Sequence, residues 1–244
     1  MNQTNLLKRY LFIFSSYFIN KSNKSKAIFY HDVHKNDKYT NMSTSINLFL
    51  KHIEIIVKNN FKVVSNINNE TNQIEISFDD GFQGIYDNIE RISNIPIQIF
   101  FTTSHLNKKN YLSKDQLIDL NLNAKILISS HSNTHVDLTM ISKSNVEFEL
   151  KKSKDILENI TNKEVKSLCF PYGRFNNNII EIAKNIGYNK IYASIPGYYY
   201  YPTFKDIINR SLVQFANGNE FKAIINGGDH ILKEWYKFKH YSKF

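Results

Sequence analysis

Ile74-Glu75-Ile76-Ser77-Phe78-Asp79-Asp80-Gly81 is an alternating apolar stretch that ends in two adjacent carboxylates and a glycine. Ile74, Ile76 and Phe78 alternate with Glu75 and Ser77, which is the period-two signature of a strand. Gly81 permits the turn that follows. If extended geometry persists through Asp79 and Asp80, their side chains diverge, so one carboxylate can take a role the other does not. Asp-Asp-Gly alone also reads as a β-turn, because both residue types favour turns.

A second cluster, His131-Ser132-Asn133-Thr134-His135, follows another apolar stretch, Ile126-Leu127-Ile128. Two imidazoles four residues apart can share one helical face, a spacing suited to capture of one metal ion. A third element, Phe170-Pro171-Tyr172-Gly173, follows Val165 to Cys169. By itself it reads as a Pro-Gly turn.

The rest of the chain alternates short apolar runs with longer helical ones. Strands are expected at Ala27–Tyr30, Phe61–Val64, Ile74–Phe78, Ile97–Phe101, Ile126–Ile128, Val165–Phe170 and Lys190–Ala193. Helices are expected at Ile46–Lys58, with Ile46, Phe49, Leu50, Ile53 and Val57 on one face, and at Asp87–Ser93 and Lys114–Leu120. Further helices are expected at Asn145–Ile160, at Asn177–Asn185 before Gly187, and at Phe221–Ile225 before Gly227. Such alternation calls for a parallel α/β arrangement. The domain is expected to span 27–244, after an N-terminal amphipathic segment, 1–26.

The ordered set of SFDDG, HSNTH and FPYG, each at a strand end, resembles the polysaccharide deacetylase family, also called NodB homology or carbohydrate esterase family 4. The likeness extends from Ile28 to about Gly227 through Tyr30-His31-Asp32-Val33, Phe61-Lys62-Val63-Val64-Ser65, Phe100-Phe101-Thr102-Thr103 and Asn209-Arg210-Ser211-Leu212-Val213. The resemblance implies an irregular, incomplete (β/α) barrel of about seven parallel strands with its site at their C-terminal ends. It implies removal of an N-acyl group, usually acetyl, from an amino sugar of a surface polysaccharide or its lipid-linked precursor. Asp80, His131 and His135 would hold one divalent metal ion, zinc by default, with cobalt, nickel or iron suited to the same donors. Asp79 would be the general base, and the Tyr172 N–H would stabilise the oxyanion.

This sequence departs from the family pattern in three places. It has no C-terminal Leu-x-His motif to supply the general acid. His31 matches the Tyr-His context of the circularly permuted poly-N-acetylglucosamine deacetylase subset and takes that role, whereas His34 reads as a loop residue and His230 lacks a strand before it. Cys169 stands where an arginine often orients the catalytic aspartate, so Arg210 is the candidate replacement and Arg174 the second. No tryptophan motif is evident for the acetate pocket, and Trp235 lies near the C-terminus. The run Tyr198 to Tyr201 offers aromatic surface for sugar stacking or a packed lid. A deformylase or other amidase, or a catalytically silent carbohydrate-binding protein, are the alternatives on the same fold.

At 244 residues with 42% apolar and 22% charged residues, the composition is that of an ordinary globular domain. The net charge of +9 comes mostly from lysine, since only four of the 31 basic residues are arginine. No basic stripe with interleaved stacking aromatics is present, so nucleic acid is not the expected partner. The amino-sugar glycan is. Cys169 is the single cysteine, so no intrachain disulfide can form. In the segment Leu6–Ile19, residues Leu7, Tyr10, Leu11, Phe14 and Phe18 follow helical spacing beside Lys8 and Arg9. The segment is too short to span a bilayer and reads as an interfacial helix, a signal-peptide core or a helix packed on the domain. A cytoplasmic location with peripheral membrane association is the leading expectation, with export as the alternative.

Overall fold

The computed structural model describes residues 22–241, so the amphipathic segment Leu6–Ile19 lies outside the described residues. Strand β1 (Lys26–Tyr30) is followed by a separate two-stranded pair, β2 (Asp32–His34) and β3 (Ser43–Ser45). Then come α1 (Ile46–Lys58), β4 (Lys62–Val64), β5 (Gln73–Asp80), two single helical turns (Gly84–Asp87 and Ile89–Ile92) and β6 (Ile97–Phe101). The chain continues through α2 (Lys114–Leu122), β7 (Ile126–Ser130), α3 (Lys143–Thr161), β8 (Ser167–Cys169), α4 (Asn177–Ile186) and β9 (Lys190–Ala193). It closes with β10 (Ile208–Leu212), α5 (Gly218–Ile225) and α6 (Lys233–Tyr241). Among the described residues no helix is long and apolar enough to cross a membrane.

Every pairing in the main sheet is parallel. Strand β5 pairs along one edge with β1, and its other edge is shared between β4 at Gln73–Glu75 and β6 at Ser77–Asp80. From β6 the order runs β7, β8, β9, β10 and back to β1, so seven strands close a ring and β4 stands outside it. The ring has one strand fewer than a full (β/α)8 barrel. It is irregular where β7 meets β8, through the single register pair Ser130 and Leu168.

Closure gives each strand two buried faces, and the buried apolar side chains accordingly form two clusters. Ile28, Tyr30, Ile74, Ile76, Phe78, Ile99, Phe101 and Leu168 point outward and pack with the helices. Ala27, Phe100, Cys169, Tyr192 and Tyr199 form a second cluster in the lumen. Glu75, Ser77 and Asp79 lie on the lumen-facing side of β5 and are buried, so the polar half of its alternation faces the barrel interior and not water.

Serine and asparagine caps set the helix starts: Ser45 accepts from the Leu48 N–H, Ser142 from that of Asn145 and Asn176 from that of Ile179. Gly187 ends α4 at φ 103. Three local expectations are corrected. The buried face of α1 runs through Ile46, Phe49, His52 and Ile56, while Val57 is exposed, because a histidine with two partners replaces an apolar residue on the core side. The helix expected at Asp87–Ser93 is two separate turns divided at Asn88, whose side-chain amide donates to the carbonyl of Gly84. His34 lies in β2, and its Nδ1 meets Ser43 Oγ at 2.8 Å.

Candidate active site

Strand pairing persists through Asp80, but Asp80 itself adopts φ 71 and Gly81 φ 83. A Cβ on Gly81 would come within 2.1 Å of the Phe101 ring, so only glycine fits there. The left-handed residue at the strand end turns Asp80 away from its neighbour. Asp79 stays in the lumen column. Its Oδ1 accepts from Arg210 Nη1 at 2.7 Å and its Oδ2 from Nη2 at 2.8 Å. Arg210 is fully buried on β10 and also donates to Ser77 Oγ (2.9 Å) and Cys169 Sγ (2.7 Å), with its guanidinium over the rings of Phe29 and Phe100. Burial alone would raise the Asp79 pKa, but the charge and paired hydrogen bonds of Arg210 outweigh it and hold the carboxyl below its ordinary range.

Asp80 faces two imidazoles, with Oδ1 at 3.6 Å from His131 Nε2 and 3.2 Å from His135 Nε2. Burial lowers the pKa of both rings, that of His131 to about 3. Neutral rings form no ion pair with the carboxylate, and Asp80 Oδ1 is buried without a hydrogen-bond partner. Such an orphaned oxygen beside two imidazole lone pairs fits a cation. Ligands at 2.0–2.1 Å around a tetrahedral ion are separated by roughly 3.4 Å, which matches these spacings. His131 Nδ1 lies 2.8 Å from the carbonyl of Cys169, and donation there leaves Nε2 as the free ligand atom. A second triple, Asp79, His131 and Cys169, also lies within 4.8 Å. It is the poorer cation site, because Arg210 already occupies both Asp79 oxygens and the sulfur, and burial raises the thiol pKa.

The two histidines do not share a helical face. They sit in an irregular loop after β7, with Ser132 at φ 63 and His135 at φ 60. Glu149 on α3, which the sequence did not single out, holds that loop. Its Oε2 accepts from the N–H groups of Asn133 (3.1 Å) and Thr134 (2.8 Å), and its Oε1 from Thr134 Oγ1 (2.8 Å).

Tyr172 has φ 57 within the Pro171–Gly173 turn, and its exposed ring packs edge-on to His135 at 4.7 Å. Tyr241 of α6 supports the turn by donating to the carbonyl of Gly173. His31 follows β1 at the same end of the barrel, with Nδ1 at 2.7 Å from Gln214 Oε1.

The other candidates do not reach the two carboxylates. Arg174 is paired with Asp137 at 2.5 Å on the surface. The run Tyr198–Tyr201 provides no sugar platform, because the Tyr199 N–H donates to Ser25 just before β1, at the opposite end of the barrel. His230 packs at a tilt against Tyr198 there, beside the buried pair of Lys26 and Asp229, and α6 with Trp235 begins four residues beyond Asp229.

The profile of the polysaccharide deacetylase family matches residues 66–191, more than half the chain. The chain belongs to the polysaccharide deacetylase family. The match includes Asp79, Asp80, His131, His135 and Tyr172, whereas His31 and Arg210 lie outside it. YxkH of Bacillus subtilis, whose name assigns it to polysaccharide deacetylases, is 24% identical over 125 residues, or 50% of this chain. The chain spans 44% of that relative's length. Among solved structures, a polysaccharide deacetylase from Bacillus cereus superposes with a TM-score of 0.72 at 20% identity, covering 83% of this chain and 69% of the other. IcaB of Ammonifex degensii gives 0.72 at 14% identity, covering 84% and 98%. Deacetylase PplD of Streptococcus pyogenes, solved with acetate, gives 0.70 at 17% identity, covering 81% and 96%. At these identities the likeness establishes the deacetylase fold.

Proposed function

We propose that this polysaccharide deacetylase is a metal-dependent hydrolase that removes N-acetyl groups from an amino-sugar glycan. The observation that carries the reading is the division of labour at the end of β5. Asp79 is ionised and gripped by arginine, and the adjacent Asp80 leaves a free oxygen beside two neutral imidazoles. A divalent ion held by Asp80, His131 and His135, zinc by default and cobalt, nickel or iron by the same donors, would acidify a water and polarise the acyl carbonyl. Asp79 accepts the proton of that water as it attacks the carbonyl carbon. Arg210 fixes the direction of the Asp79 carboxylate. The Tyr172 N–H donates to the acyl oxygen as negative charge builds there. His31 protonates the leaving nitrogen through Nε2, and the products are acetate and a free amine.

Cys169 in the place of an orienting arginine and the missing Leu-x-His motif are the two features that favour a silent binder. A bidentate guanidinium from β10 supports the catalytic reading instead. The test is product release from N-acetylglucosamine oligomers by the full chain, with acetate, formate and ammonia assayed together on acetylated and formylated probes. Acetate as the main product is expected. Preferential formate or ammonia release would move the reading to another amidase, and oligomer binding without any product would favour the silent one.

Metal retention also depends on the loop that carries the histidines. Glu149→Ala frees three hydrogen-bond donors of that loop and is expected to weaken zinc affinity about 10- to 100-fold. Competition against a chromophoric chelator measures this, with circular dichroism confirming the fold.

A further inference from the structure

The loop after β10 carries no family motif, yet it is fixed with unusual care. The Val213 N–H donates to the Phe29 carbonyl, and that of Ala216 donates back to Val213. The Gln214 carbonyl accepts from Thr44 Oγ1 at 2.7 Å. The Ala216 carbonyl lies 2.8 Å from His52 Nε2, and His52 Nδ1 lies 2.8 Å from the Tyr30 hydroxyl. Burial lowers the His52 pKa to about 4, so this ring is neutral. It donates through Nε2 and accepts from Tyr30 through Nδ1. It also lies parallel to Phe221 with centroids 3.9 Å apart. The loop is therefore tied to β1 through Tyr30 on the outer side of the strand. Its Gln214 side chain is 3% exposed and meets His31 Nδ1 at 2.7 Å.

We propose that Gln214 is a positioning residue that fixes His31 as the Nδ1–H tautomer, with Nε2 presented to the site. The inference rests on His31 serving as the general acid of the proposed deacetylation. The tautomer of an imidazole is set by the hydrogen bond its other nitrogen makes. An amide oxygen can only accept, so Nδ1 carries the proton and Nε2 is the nitrogen left to exchange a proton with substrate. The brace through Thr44 and His52 holds the amide in place, so that Nε2 keeps one direction through turnover.

The test reads the imidazole directly. Two-bond nitrogen–proton spectra of protein labelled with 15N-histidine, taken without metal at alkaline pH, distinguish the two neutral tautomers, and His31→Gln assigns the His31 signals. Wild type is expected to show His31 as Nδ1–H. Gln214→Leu is expected to shift it toward Nε2–H and to lower kcat on the order of 10- to 100-fold with KM little changed. Gln214→Glu, which retains an acceptor, is expected to keep the Nδ1–H form. An Nε2–H tautomer in wild type, or a Gln214→Leu protein that is folded with the tautomer and kcat unchanged, overturns the inference. If instead the tautomers behave as stated but His31→Gln retains full kcat, it is the general-acid reading of His31 that fails.

Discussion

Asp79→Asn is expected to lower kcat by about a thousandfold while metal uptake and KM stay close to wild type. The asparagine is isosteric and keeps an acceptor for Arg210, but it has lost the negative charge that draws a proton from water. Metal uptake should survive, because Arg210 occupies both Asp79 oxygens and the proposed cation donors are Asp80, His131 and His135. Rate, metal content and melting temperature are measured on one preparation. A variant that turns over at the wild-type rate would remove Asp79 as the base. Loss of metal with the fold intact would mean that Asp79 is a ligand.

Arg210→Met is expected to be the most destabilising single change at the site. It removes the cation from a buried pair and leaves Asp79 charged and unpaired in the lumen, a situation that costs about 3–5 kcal/mol. In a domain of this size that corresponds to a fall of roughly 10 °C in melting temperature. In the wild type the Asp79 pKa is depressed, so the stabilisation by the pair is present above the ordinary carboxylate value and lost only as pH falls through the depressed one. Without Arg210 the largest influence opposing burial is gone, and that pKa rises. The acid limb of the rate profile should then move to higher pH. Thermal denaturation and the pH profile together test this. An unchanged melting temperature and an unmoved acid limb would show that Arg210 neither supports nor tunes Asp79.

The parts of this site that can be read from the chain are the short-range ones. Asp79 and Asp80 are adjacent at the end of an alternating strand, and His131 and His135 follow another. The alternation itself held a second meaning, because a strand of a closed barrel has no solvent face, and its polar residues Glu75, Ser77 and Asp79 look into the lumen. The helical reading of His131 and His135 failed because two residues at positive φ curl the loop and Glu149 holds it from α3. Arg210 could be read as a strand residue. Its pairing with Asp79, 131 residues away, depends on β1 lying between β5 and β10 in the closed ring. No local signal announces such a neighbour. The connection from β9 to β10 carries no α-helix, and this takes Tyr199 to the far end of the barrel, where sequence adjacency suggested a sugar platform. Gln214 and Glu149 were invisible for the same reason, since each acts through contacts that only the tertiary fold creates.

The most direct measurement of the central claim is a zinc titration of chelator-stripped protein, with bound metal per chain and acetate release from N-acetylglucosamine oligomers read on the same samples. The account predicts acetate release that rises in proportion to bound metal and saturates at one ion per chain, with Asp80→Ala and His135→Ala showing neither. Acetate release at full rate from the stripped protein, or saturation of metal without any acetate, would contradict it.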